Sequence, residues 1–108
     1  MRLSRLPLVH HILCKLQGRS GSWPRVRRDY LVRHPTCAVC GGKKAIEVHH
    51  VVPFHKDKAQ ELNPGNLIAL CNHLRCHILI GHLGNYKSWN EHVREMAASI
   101  FLKITMRP

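Results

Sequence analysis

Two short cysteine pairs, Cys37-Ala-Val-Cys40 and Cys71-Asn-His-Leu-Arg-Cys76, constrain this chain more than any other feature. Two thiolates separated by two residues reach one tetrahedral ion only if the backbone turns tightly. Gly41 and Gly42 supply residues suited to such a turn. The second pair completes a four-cysteine set, Cys37, Cys40, Cys71 and Cys76. Four thiolates close the shell of a zinc ion, so this ion is structural and leaves no position for a substrate. His73, inside the second pair, is the weaker alternative for one of the thiolates. A chain of 108 residues buries a limited core, and a metal staple then carries part of the folding free energy.

Charge narrows the partners. Lys and Arg number 17 against 6 Asp and Glu, a net +11 with neutral histidine. That surplus is the footprint of a polyanion binder, with a ribosome-associated or merely basic protein as the alternative. The cysteine count is odd, which argues against a secreted disulfide framework. Cys14 stands apart and reads as a small apolar packing residue. The N-terminal apolar run is broken by Pro7, His10 and His11 and makes a poor signal core. No stretch approaches the roughly 20 apolar residues of a membrane span. The expectation is an intracellular protein, cytoplasmic or in the nucleoid, with reduced cysteines that bind metal and with no membrane partner.

Read in order, residues 1–22 are a basic arm with turn signals over Gly18–Ser22, and residues 23–108 are one small domain. A helix is expected over Trp23–His34, with Ser22 as its cap, Pro24 in its first turn and Pro35 ending it. Trp23, Val26, Tyr30 and Leu31 recur at helical spacing toward a core. Arg25, Arg27, Arg28 and Arg33 form either a solvated face or a phosphate-contacting one. Ala45–Pro53 is rich in β-branched residues and reads as a strand. A polar loop and the turn Asn63-Pro64-Gly65 lead to a second strand over Asn66–Leu70. Leu74, Ile78 and Leu79 suggest a helix carrying His77, broken at Gly81–Asn85. A last helix over about residues 90–104, capped by Ser88 or Asn90, shows an apolar stripe of Val93, Met96, Ala97, Ile100, Phe101 and Ile104. The stripe packs on the domain; a homodimer surface is the alternative. The fold class is a small α+β domain: strand, loop, strand, helix, with zinc knuckles and flanking helices.

Within this frame Cys37/Cys40, Glu47-Val-His49-His50-Val-Val-Pro53, Asn63-Pro-Gly-Asn66-Leu-Ile-Ala-Leu-Cys71 and Cys76-His77 resemble the HNH endonuclease family. The likeness is to members with a four-cysteine zinc inside the ββα-metal, or His-Me finger, fold. The resemblance implies a ββα core over about residues 37–84 and a metal-dependent DNA endonuclease. It implies contact through the minor groove and phosphate backbone, in a family widespread in phage, mobile-element and restriction proteins. It gives His49 and His77 as ligands of a catalytic divalent ion, His50 as general base and Asn66 as the residue that orients the base or its loop.

Physical chemistry is consistent with that division. A neutral imidazole takes a proton from water near pH 7, and one metal ion stabilises charge on the phosphorane and on the leaving oxygen. Imidazole ligands suit Mn²⁺, Ni²⁺ or Zn²⁺ at least as well as Mg²⁺. Two geometric difficulties arise. Adjacent residues of a regular strand point to opposite faces, so His49 and His50 share a site only if the strand ends there. His82 lies five residues after His77, about 140° around an ideal helix, and is a ligand only if the helix is broken. Glu47 is either support for a ligand or an ordinary ion-pair partner. A non-catalytic zinc-binding nucleic-acid-binding module is the alternative function.

Overall fold

The computed structural model describes residues 20–106. Nearly all of the basic arm, with Cys14, lies outside them.

Helix α1 spans Trp23–Arg33, with Pro24 in its first turn. Ser22 does not cap it as expected. Its own backbone is already helical (φ −81°, ψ −11°) and its hydroxyl makes no cap bond. A turn closes the entry instead, with the Trp23 N–H donating to the Ser20 carbonyl. The helix ends one residue earlier than expected, ahead of Pro35, because a residue before proline avoids helical geometry.

Strand β1, Ile46–His50, pairs antiparallel with β2, Leu67–Cys71, in the register Ile46 opposite Cys71 through His50 opposite Leu67. The expected strand to Pro53 is too long. Val51 and Val52 bend away, and the Asn66 side chain takes over Val52's backbone groups: Oδ1 accepts from its N–H at 2.8 Å and Nδ2 donates to its carbonyl at 3.0 Å. Asn66 therefore precedes β2, closing a 3-10 turn that starts at Pro64.

Every residue of β2 is buried, because the two-stranded sheet is covered on both faces. Leu67 packs with Trp23 of α1, supported by Val26, Tyr30 and Val48. Ile68 and Leu70 pack with Cys37, Val39, Cys71 and Cys76 and with Val93 and Ala97 of the C-terminal helix. That helix, α2, spans Val93–Thr105, and Asn90 caps the turn before it by accepting from the His92 N–H. Its apolar stripe is covered only in part: Val93 and Ala97 are buried, while Met96, Phe101 and Ile104 are exposed.

The helix expected from about His73 does not form. The chain reverses between Cys71 and Cys76, with Arg75 at φ +62°, and this brings Cys76 back beside its partners. Leu74 and Leu79 are more than half exposed. In place of that helix stands a single π-helical turn over His77–Gly81. Among the described residues, no helix is long and apolar enough to cross a membrane.

Candidate metal centres and the cleft beside them

The four cysteines converge as the sequence predicted. One sulfur from each of Cys37, Cys40, Cys71 and Cys76 lies within 4.8 Å of all the others, and Cys40 Sγ is 3.6 Å from Cys71 Sγ. Zinc–thiolate bonds of about 2.3 Å at tetrahedral angles need sulfurs about 3.8 Å apart, so the set fits a closed four-sulfur site. Backbone N–H groups already point at it: Val39 donates to Cys37 Sγ and Gly42 to Cys40 Sγ, each at 3.4 Å. Burial raises the Cys71 thiol, but donors from Leu74 and Cys76 more than offset this and bring it to about 7. Burial pushes Cys76 up. His73 is exposed and absent from the cluster.

A second cluster holds His49, His77 and His82. Their ring centroids stand 5.1 Å (His49–His77), 4.7 Å (His49–His82) and 4.9 Å (His77–His82) apart. The five-residue step from His77 to His82 is accommodated by the π-helical turn. The His82 N–H donates to the His77 carbonyl at 3.2 Å, one residue further than an α-helix allows, and this returns His82 to the face of His77. Gly81 lets the turn lie against β1. A Cβ there would come within 3.2 Å of the His49 ring and 3.0 Å of Leu70.

The chemistry of this triad fits a divalent cation. His82 Nδ1 lies 2.8 Å from the Ser88 carbonyl; a carbonyl only accepts, so the ring proton sits on Nδ1 and the Nε2 lone pair faces inward. His77 Nε2 is 3.3 Å from that lone pair, a contact closed either by a proton or by a cation between two lone pairs. His49 Nε2 is buried with no hydrogen-bond partner among the described residues. Such an orphan costs about 1–3 kcal/mol, and an ion removes the cost. Burial, then the charges of His77, His82 and His50, pull His49 down to about 3. Burial, then His82, pulls His77 down to about 4, against a raising influence from Glu47. Both rings are therefore neutral and ligand-ready at pH 7.

His50 takes the other side of β1. Its ring packs against Trp23 at 4.5 Å, and Nε2 lies 2.9 Å from the backbone carbonyl of Glu61. The neutral tautomer consequently carries its proton on Nε2 and presents Nδ1 as the basic nitrogen. The strand ends at His50, and both histidines line one open cleft of roughly 430 Å³ with His77, His82 and Tyr86. The opposed-face difficulty is met by the strand terminus. Asn66 is buried outside the cleft lining, holding Val52 and, through Nδ2, the Gln60 carbonyl at 3.2 Å. Glu47 pairs with Arg27 at 3.1 Å. The Glu61 carbonyl, the Ser88 carbonyl and Trp23 carried no sequence signal as supports of this site, since two act through backbone atoms.

Zinc-type cysteine spacing, the histidine triad and the capped His50 all lie within one stretch. Residues 37–82 match the family model described as HNH endonuclease. That stretch is similar to the HNH endonuclease family. The match covers less than half of the chain, and the elements outside it, α1 and α2, cover the two faces of the HNH sheet. No curated protein and no solved structure matches the chain. The match supports a nuclease-type function in general, and the four cysteines and the three histidines form two groups that could each hold a metal ion.

Proposed function

We propose that the protein is a metal-dependent endonuclease that hydrolyses DNA phosphodiester bonds in the cleft between His50 and the histidine triad. The observation that carries this reading is the convergence of His49, His77 and His82 beside a histidine whose Nε2 is tied to a carbonyl. His49, His77 and His82 would hold a divalent ion, which when bound would supply charge stabilisation to the phosphoryl transition state. The ions that suit three imidazoles are Mn²⁺, Ni²⁺ and Zn²⁺ ahead of Mg²⁺. The four-cysteine site takes a structural Zn²⁺.

The chain's own residues supply the rest. His50 Nδ1 accepts a proton from the attacking water, whose oxygen bonds to phosphorus as the bond to the 3′ oxygen breaks. The Glu61 carbonyl stabilises the imidazolium that results, because its Nε2–H bond is charge-assisted in that state. Asn66 is a positioning residue: it fixes the backbone just after His50. The net +11 charge supplies sequence-independent attraction to the phosphate backbone.

Supercoiled plasmid incubated with the protein and each of Mn²⁺, Ni²⁺ and Mg²⁺ tests the reading. Nicked or linear product is expected with Mn²⁺ or Ni²⁺, and a loss of about 10²-fold or more in His50→Ala, with plasmid binding retained. Equal cleavage by both proteins rejects His50 as the base. Binding without cleavage under every ion favours the zinc-binding nucleic-acid-binding module instead.

A further inference from the structure

The cleft carries more aromatic surface than phosphodiester hydrolysis requires. Phe54, Tyr86 and Trp89 line it together with the histidines and Lys87. Tyr86 is 65% exposed, and the ring contacts it makes are to His82 at 5.0 Å and His77 at 6.0 Å. A ring so exposed contributes little to the core, and it stands directly beside the triad. Lys56 lies 5.1 Å from the Trp89 ring and Lys58 5.8 Å from the Phe54 ring, so cations accompany the aromatic faces along the rim.

A paired duplex offers base edges in its grooves and phosphates along its backbone, while its base faces are stacked on one another. Aromatic faces beside a scissile phosphate find partners only when a base leaves the stack. A cleft of roughly 430 Å³ falls in the size range of small-ligand sites and accommodates one such nucleotide. Resting on the nuclease reading above, we propose that the preferred substrate is DNA with unpaired nucleotides at the cleavage position. Tyr86 and Trp89 stack the base that flanks the scissile phosphate, and Lys56 and Lys87 hold the neighbouring phosphates.

Fluorescence anisotropy at fixed salt tests this with three labelled DNAs of one sequence: full duplex, duplex with a central unpaired bubble, and single strand. The binding protein is His50→Gln, which retains a donor for the Glu61 carbonyl. Stacking worth about 1–3 kcal/mol per base predicts bubble and single strand binding roughly 5- to 150-fold tighter than duplex. Tyr86→Ala should bring bubble affinity down toward the duplex value, and Trp89→Phe should keep most of the preference where Trp89→Ala loses it. Thermal melts verify that each variant is folded. Equal affinity for bubble and duplex, or a preference intact in folded Tyr86→Ala with Trp89→Ala, overturns the proposal. Plasmid cleavage by the wild type is read separately. Cleavage without bubble preference sinks the substrate assignment alone, and bubble preference without cleavage sinks the nuclease reading alone.

Discussion

The backbone N–H of His82 donates to the carbonyl of His77 five residues earlier, at 3.2 Å, and this one hydrogen bond sets the spacing of the triad. In an α-helix the same pair diverges by about 140°. The π-helical turn removes the divergence, and Gly81 allows that turn to approach His49. Gly81→Ala is predicted to destabilise the fold by about 1–3 kcal/mol through overpacking and to weaken divalent-ion binding at the triad about tenfold or more. Gly84→Ala provides the contrast. Its backbone is at φ +86° and a Cβ there would meet nothing within 4 Å, so the substitution costs about 1–2 kcal/mol of backbone strain with ion affinity maintained. Denaturant melts and Mn²⁺ titrations of the two variants measure the difference.

Asn66 makes three side-chain bonds in a buried position, to Val52 N–H, Val52 carbonyl and Gln60 carbonyl. Asn66→Ala strands all three backbone groups and should cost about 3 kcal/mol. Because the loop it clips begins immediately after His50, kcat should fall more than KM rises. A variant with native kcat would show that the loop keeps its place unaided.

The triad gives a pH signature. His49 and His77 are held near 3 and 4 in the folded protein, below the ordinary 6.5 of an unfolded histidine. Their contribution to stability is complete above 6.5 and drains away as pH falls from 6.5 toward about 4 for His77 and about 3 for His49, a range in which the unfolded chain takes up protons that the folded one refuses. With one equivalent of zinc bound, NMR of the ring protons should show no titration of His49 or His77 between pH 8 and 5.5. A midpoint near 6.5 for His49 would contradict its burial against the other two rings.

The cysteine site is predicted to be a condition of folding. A structural zinc contributes roughly 10–16 kcal/mol of apparent binding free energy, more than a small domain's whole stability. Cys71→Ser should therefore lose both the zinc and the cooperative thermal transition seen by circular dichroism. Survival of that transition in the metal-free protein would show that α1, α2 and the sheet suffice.

Much of this was legible in the sequence. The cysteine pairs, the two strands and the identities of His49, His50, Asn66 and His77 follow from spacing and from likeness to HNH motifs. The element boundaries do not. β1 stops at His50 because the side chain of Asn66, from beyond the loop, claims the backbone of Val52; no local propensity encodes that bond. The helix inferred from Leu74 and Leu79 was overridden by the need to return Cys76 to the cysteine cluster. The His82 difficulty was visible as a mismatch of period. Its solution, a widened turn, required the tertiary approach of Gly81 to His49.

This chain offers two different kinds of candidate metal site, one closed by sulfur and one left open by three imidazoles. Native mass spectrometry of zinc-loaded protein titrated with Mn²⁺ tests this directly. One zinc and one further ion are expected per wild-type chain, with His77→Ala combined with His82→Ala losing only the second. A wild type that saturates at a single ion, or a second ion that persists in the double variant, would contradict that expectation.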